Sequence, residues 1–311
     1  MRSEKEMYDL ILDIAKRDER IRAVYMNGSR ANPNIKKDIF QDYDIVYVVT
    51  ETKTFIEDKK WTSNFGEPII FQEPDKLDKM QGINIDFNNG YTYLMQFTDG
   101  NRIDLHLQPI NMLTEEYNKD KLVVQLLDKD NILPEVKPAS DEDYWIKKPS
   151  YEEYFSECNN FWWVAPYCAK GLWRKEILYS IGVMNNYVRD GLITMIKWKV
   201  GIETNFKVSI GKSNKFLKEY IDKELWDKLM STFNMSDYNS SWTALFITCE
   251  LFEEVAYSVS KQLGYEYNYD EAQRSFNFIK HIKELPDDAL EIYVNVNIFL
   301  YKNWKIIMYN N

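Results

Sequence analysis

Cysteine, positive charge and long apolar runs are all scarce in this chain, and each scarcity excludes something. The three cysteines, Cys158, Cys168 and Cys249, are an odd number with no C-x-x-C spacing. They fit reduced structural thiols in a cytoplasmic setting better than a disulfide framework. Nowhere do eighteen apolar residues follow one another, so no membrane-spanning helix is expected. The opening Met1-Arg2-Ser3-Glu4-Lys5-Glu6 lacks the apolar core and cleavage site of a secretory signal. There is no internal repeat and no low-complexity run. Lys and Arg number 39 against 49 Asp and Glu, a net charge of -10, which argues against a general nucleic-acid binder. The imbalance is local. Residues 1–145 hold 19 basic against 28 acidic side chains, a net -9, and residues 146–311 hold 20 against 21, a net -1. An acidic first half attracts a cationic small substrate, and it also serves as an ordinary solvated surface.

What is present suffices for packed cores. Of 311 residues, 45% are hydrophobic and 15% aromatic, and this length predicts two domains. Ser3-x-x-Glu6 is a capping box, and Met7, Leu10, Ile11 and Ile14 follow at helical spacing, predicting a helix over 4–17. Strands are expected near 22–27, 43–50 and 68–72, with a helix in part of 53–64 and mostly loop over 74–90. Asp99-Gly100 between 91–98 and 101–109 predicts a tight hairpin. The stretch 122–127 reads as a strand or a helix end. Pro134, Pro138 and Pro149 bracket a polar connection. Beyond it, segments around 151–169, 174–188, 190–200, 214–232 and 239–263 have helical spacing and predict a helical second half. In 291–311 strand and helix are equally supported.

The chemistry is expected in the first half. Val24-Tyr25-Met26-Asn27 reads as a strand running into a Gly28-Ser29 turn. Twelve residues later Asp42-x-Asp44 opens another strand. Side chains two apart in a strand share a face, so Asp42 and Asp44 project together. Paired carboxylates suit a hard divalent cation, and a turn with free N–H groups and a hydroxyl suits phosphate. In the later strand Arg102, Asp104 and His106 share one face. If that strand lies beside 43–50, Asp104 joins the pair. His106 reads as a hydrogen-bonded structural histidine, and Trp162, Trp163 and Trp173 read as core.

G-S, then D-x-D, then a distant Asp resembles the active-site pattern of the nucleotidyltransferase superfamily. Local sequence narrows the likeness. Arg2-Ser3-Glu4-Lys5-Glu6-Met7, Asp18-Glu19-Arg20-Ile21-Arg22, Gly28-Ser29-Arg30, Phe40-Gln41-Asp42-Tyr43-Asp44-Ile45 and Leu126-Leu127-Asp128-Lys129-Asp130 are similar to aminoglycoside 6-adenylyltransferases. In the second half Cys158-Asn159-Asn160-Phe161-Trp162, Lys170-Gly171-Leu172, Arg174-Lys175-Glu176-Ile177-Leu178 and Gly211-Lys212-Ser213-Asn214-Lys215-Phe216 continue the similarity. It runs to about residue 270, and the tail after about Phe276 falls outside it.

The resemblance implies an α+β chain. Residues 1–145 would form a nucleotidyltransferase catalytic domain with a mixed sheet and flanking helices, and 146–311 a helical domain closing on substrate and nucleotide. It implies transfer of AMP from ATP to a hydroxyl of streptomycin, with Mg²⁺ as cofactor, two ions being expected. Asp42 and Asp44 would hold metal, and Asp104 would complete the second position and help deprotonate the hydroxyl. Gly28 and Ser29 would hold phosphates, with Arg30 as a nearby charge partner. Lys170 and Lys175 would close over the triphosphate. Two positions depart from the family: Asn27 stands where it usually has Glu, and Ile181-Gly182-Val183 where it has an Ile-Asp-His-like segment. A different acceptor therefore stays open, namely another aminoglycoside, a lincosamide-like drug or a protein hydroxyl. So does a non-catalytic nucleotide-binding relative. With an acidic side chain lost at Gly182, the general base would be Asp104 or Glu176.

Overall fold

The computed structural model describes residues 1–293 other than 118 and 136. The chain divides into two compact units, Met1–Tyr144 and a second beginning at Trp145. The expectation for 291–311 lies almost wholly outside the described residues.

In the first unit, α1 (Glu4–Arg17) starts where the capping box predicts: the Ser3 hydroxyl accepts the Glu6 N–H, and the Glu6 carboxylate accepts the Ser3 N–H. Its buried stripe, Met7, Ile11 and Ala15, lies on one face of a six-stranded sheet. The strands are β1 (Ile21–Met26), β2 (Tyr43–Val49), β3 (Pro68–Gln72), β4 (Tyr91–Phe97), β5 (Arg102–Pro109) and β6 (Val124–Asp128). Their order across the sheet is β3-β4-β5-β2-β1-β6, with β2 and β5 parallel and the other neighbours antiparallel. The sheet is thus mixed. In β2 the alternation separates two cores. Tyr43, Ile45, Tyr47 and Val49 pack with α1, and Val46 and Val48 pack with Ala23, Tyr25, Leu113 and Tyr117 on the opposite face. Three short helices complete the unit: α2 (Lys53–Glu57), α3 (Pro74–Met80) and α4 (Leu113–Tyr117).

One expectation needs correction here, and one open alternative is settled. Much of 74–90 is not loop, because α3 begins with Pro74 at its first turn, where a missing N–H costs nothing. The ambiguous 122–127 stretch resolves as strand β6, paired antiparallel with β1.

The second unit is helical among its described residues: α5 (Tyr151–Trp173), α6 (Ile177–Val183), α7 (Arg189–Glu203), α8 (Leu217–Tyr220), α9 (Lys223–Ser231), α10 (Tyr238–Leu263) and α11 (Tyr269–Glu284). A second capping box, Ser150 with Glu153, starts α5, and left-handed Gly264 ends α10. Phe161 of α5 stacks on Phe252 of α10, with ring centroids 3.5 Å apart, at the centre of one large apolar core. The helix α11 was not anticipated, and its Ala272, Phe276, Ile279 and Ile282 are buried in that core. All three cysteines are free and buried. Burial pushes the Cys158 and Cys168 thiols up to about 12, and they behave as small apolar side chains. No helix among the described residues is long and apolar enough to cross a membrane.

Candidate active site

The parallel pairing of β2 with β5 decides the geometry. Tyr43 lies opposite Ile103, Asp44 opposite Asp104, and Ile45 opposite Leu105. Asp44 and Asp104 are therefore direct neighbours on adjacent strands. Asp42, two residues before Asp44, shares their face. On the other side of β2, Met26 of β1 pairs with Ile45, and the Asn27 N–H donates to the Asp44 carbonyl at 2.9 Å. The chain then turns sharply at Gly28, whose φ of 74° is open to glycine and strained for other residues. A Cβ there would stand 2.0 Å from Asp44 Oδ2. The Gly28 backbone is thus pressed against the carboxylate, and the Gly28-Ser29 turn and the three acids share one corner of the first unit.

Electrostatics mark the same corner. Asp44 is pushed up to about 6 by burial first, then by the charges of Asp104 and Asp42. Asp42 is also raised, by burial above all, with Arg102 acting in the opposite direction. Arg102 lies among them. Its Nε donates to Asp104 Oδ1 at 2.7 Å and its Nη2 to Asp104 Oδ2 at 2.8 Å, and Nη1 stands 3.6 Å from Asp42 Oδ2. The sequence places Arg102 on this face and assigns it no role. The signal was its place two residues before Asp104 on one strand.

Among the described residues no three His, Cys, Asp or Glu side chains form a ready metal cage. The donor set still suits one. Three carboxylates supply hard oxygen, their mutual repulsion is what a divalent cation relieves, and Asn27, whose N–H bonds the Asp44 carbonyl, has its side-chain oxygen buried without a hydrogen-bond partner. Gln41 Oε1, next to Asp42, is likewise buried and unpartnered.

The remaining expected site residues are placed as follows. Ser29 opens a single helical turn over Ser29–Ala31. Arg30 turns away from open solvent. Its side chain is 6% exposed, donates to the carbonyls of Gln41 and Asp42 at 2.9–3.2 Å, and covers the Tyr43 ring at 3.9 Å. In this conformation it braces the loop between Gly28 and Asp42, so any contribution to phosphate runs through the loop's shape. In the second unit Lys170 lies over the rings of Tyr167 and Phe278, and Lys175 pairs with Asp287 at 2.9 Å. Glu176 precedes α6, and a Cβ on Gly182 would meet open space. His106 is bonded to Thr92 Oγ1 through Nδ1 at 3.0 Å and lies against Gly90, a structural position. Trp162 is core, whereas Trp163 is 68% exposed, which corrects its reading as core.

Comparison with known proteins decides the family, since the sequence matches streptomycin adenylyltransferase over residues 1–282. The chain belongs to this family. Membership makes it a nucleotidyltransferase enzyme, and the match extends past the point where the motifs alone stopped. An aminoglycoside 6-adenylyltransferase of Campylobacter jejuni is 45% identical over 272 residues, 87% of this chain and 93% of the relative. One from Bacillus subtilis (strain 168) is 41% identical over 273 residues, 87% and 95% of the two chains. One from Staphylococcus aureus is 36% identical over 283 residues, 90% and 99%. A crystal structure of an aminoglycoside 6-adenyltransferase from Bacillus subtilis aligns over 92% of this chain and 100% of its own, with 36% identity and a TM-score of 0.46.

Proposed function

We propose that this member of the streptomycin adenylyltransferase family transfers AMP from Mg-ATP to a hydroxyl of a cationic aminoglycoside, streptomycin first, and so gives resistance to it. The observation that carries the reading is the pairing of Asp44 with Asp104, with Asp42 on the same face and the Gly28 backbone against Asp44. The relatives' names supply the reaction and the acceptor class.

In this reading Asp42 and Asp44 hold Mg²⁺, and Asp104 completes the place of a second ion. When bound, the metal neutralises charge on the attacking and leaving oxygens. The chain's own groups do the rest. The Gly28-Ser29 turn presents N–H groups and a hydroxyl to the β and γ phosphates. The acceptor oxygen bonds to the α-phosphorus as the bridging bond to the β-phosphate breaks. Pyrophosphate leaves, and the hydroxyl proton passes to Asp104. Lys170 and Lys175 are proposed as further contacts to the triphosphate. The net charge of -9 over residues 1–145 favours a cationic acceptor.

A second reading keeps the chemistry and changes the acceptor. Asn27 in place of an acid, and Gly182 facing open space, favour it. The test is product mass after incubation with Mg-ATP and a panel of aminoglycosides and lincosamides. A gain of one AMP on streptomycin supports the first reading. A gain only on another compound supports the second. ATP binding without transfer to any acceptor makes the chain a non-catalytic relative.

A further inference from the structure

The acidic corner contains a cation of its own. Arg102 and Asp104 are two apart on β5, so their side chains emerge on one face, and the guanidinium meets both oxygens of Asp104 in a two-pronged pair. It also reaches toward Asp42, at 3.6 Å. Both Asp104 oxygens are therefore committed to N–H donors. A metal ion also binds a carboxylate through these oxygens, so Arg102 and a divalent cation compete for the same lone pairs.

Arg102 is not locked in place. Its side chain is 39% exposed, and it donates hydrogen bonds to Asp104. It lies at the rim of a groove of about 660 Å³, lined also by Ile70, Leu94, Gln96 and Glu73. The groove gives the side chain somewhere to go. Gln96, its neighbour across the β4–β5 pair, is neutral, and the groove's one other cation, Lys76, is paired with Glu73 at 2.8 Å.

We propose that Arg102 is the resident counter-ion of the carboxylate cluster, holding Asp104 and Asp42 in the nucleotide-free enzyme and giving way when a divalent cation enters. It is a positioning residue, and its consequence is a gate on metal entry. Without nucleotide, the cation must displace a guanidinium that finds no free anion in the groove, because Glu73 there is already paired with Lys76. With nucleotide, the phosphates offer that anion, and metal and nucleotide bind each other's complex more readily than either binds alone. This inference rests on the proposed role of Asp42, Asp44 and Asp104 as metal-holding carboxylates.

The experiment is a Mn²⁺ titration of the full chain at pH 8, followed by the electron paramagnetic resonance of free Mn²⁺. It compares wild type, Arg102→Met and Arg102→Lys, with and without a non-hydrolysable ATP analogue. Removing a partly exposed competing ion pair predicts that Arg102→Met binds Mn²⁺ about fivefold tighter than wild type without nucleotide. Arg102→Lys, which keeps the charge and loses the fork, falls between them. Thermal melting supplies a second readout: Mn²⁺ raises the Tm of Arg102→Met more than that of wild type. Should Arg102→Met fail to fold, Arg102→Lys against wild type carries the comparison. Equal or weaker Mn²⁺ binding by the variants, where wild type binds Mn²⁺ with the nucleotide, overturns the gate and spares the carboxylate assignment. Absence of Mn²⁺ binding by every form, nucleotide present or not, overturns both.

Discussion

Replacing Asp44 by asparagine is expected to stabilise the metal-free protein while ending transfer. The Asp44 carboxyl moves from an ordinary 3.8 to about 6 because it is buried beside two other acids. At about 1.4 kcal/mol for each tenfold change in proton affinity, its ionisation costs about 3 kcal/mol more in the folded chain than in water. The side chain is half-buried, and an asparagine amide must also be desolvated there. About half of that cost, roughly 1–2 kcal/mol, should therefore return as stability. For a unit of this size the gain is a rise in Tm of about 3–6 °C. The folded state binds the Asp44 proton more tightly than the unfolded chain does. On this group's account wild type loses stability as pH rises from about 4 to 6, and the whole deficit is present above that. The advantage of Asp44→Asn is then largest at pH 8 and shrinks severalfold by pH 4.5. Differential scanning fluorimetry in EDTA at the two pH values reads both. A lower Tm for the variant at pH 8, or a difference indifferent to pH, would show that Asp44 is not a repelled carboxylate.

Gly28→Ala forces a Cβ to 2.0 Å from Asp44 Oδ2 at a φ of 74°. It should cost about 1–3 kcal/mol in urea unfolding, and kcat/KM should fall about a hundredfold as the carboxylate is displaced. Transfer with Mg-ATP limiting should lose rate below about pH 6, since a protonated Asp44 cannot hold metal. Raising Mg²⁺ should move that acid limb to lower pH, because the cation favours the ionised form. Arg189 is buried in the second unit, donates to Thr232 and Asn185, and lies 4.0 Å over the Phe233 ring. Arg189→Leu leaves the buried Thr232 acceptors unpaired and should cost about 2–4 kcal/mol in a chemical melt.

Local signals carried much of the fold. The capping box fixed the start of α1, and Asp99-Gly100 the β4–β5 hairpin, because each acts over a few residues. The β2–β5 register was legible only as a condition. Two strands far apart in sequence pair through packing of both sheet faces, and nothing near Asp44 or Asp104 names the other. The helix α3 was missed because its partners are distant: Asp75 accepts the Thr92 N–H at 2.7 Å, and Glu73 accepts the Tyr91 hydroxyl at 2.7 Å. For α11 the signal was available. Asn268 caps Glu271, and the buried Ala272, Phe276, Ile279 and Ile282 recur at helical spacing. Within the site, the acids and the Gly28 turn could be named from the chain. Arg102 could not be assigned, because its meaning lies in which carboxylates its fork reaches. Arg30 and Lys175 carry the same lesson, for each is bound to neighbours that sequence spacing does not show.

The account stands on Asp104 acting with Asp42 and Asp44 in one transfer of AMP. Its most direct test is pyrophosphate release on mixing the enzyme with Mg-ATP and streptomycin, for wild type and Asp104→Asn side by side. The account predicts release matched by AMP on the drug, and a fall of about a thousandfold or more in the variant with its fold retained. Release from Asp104→Asn at a rate near that of wild type would contradict it.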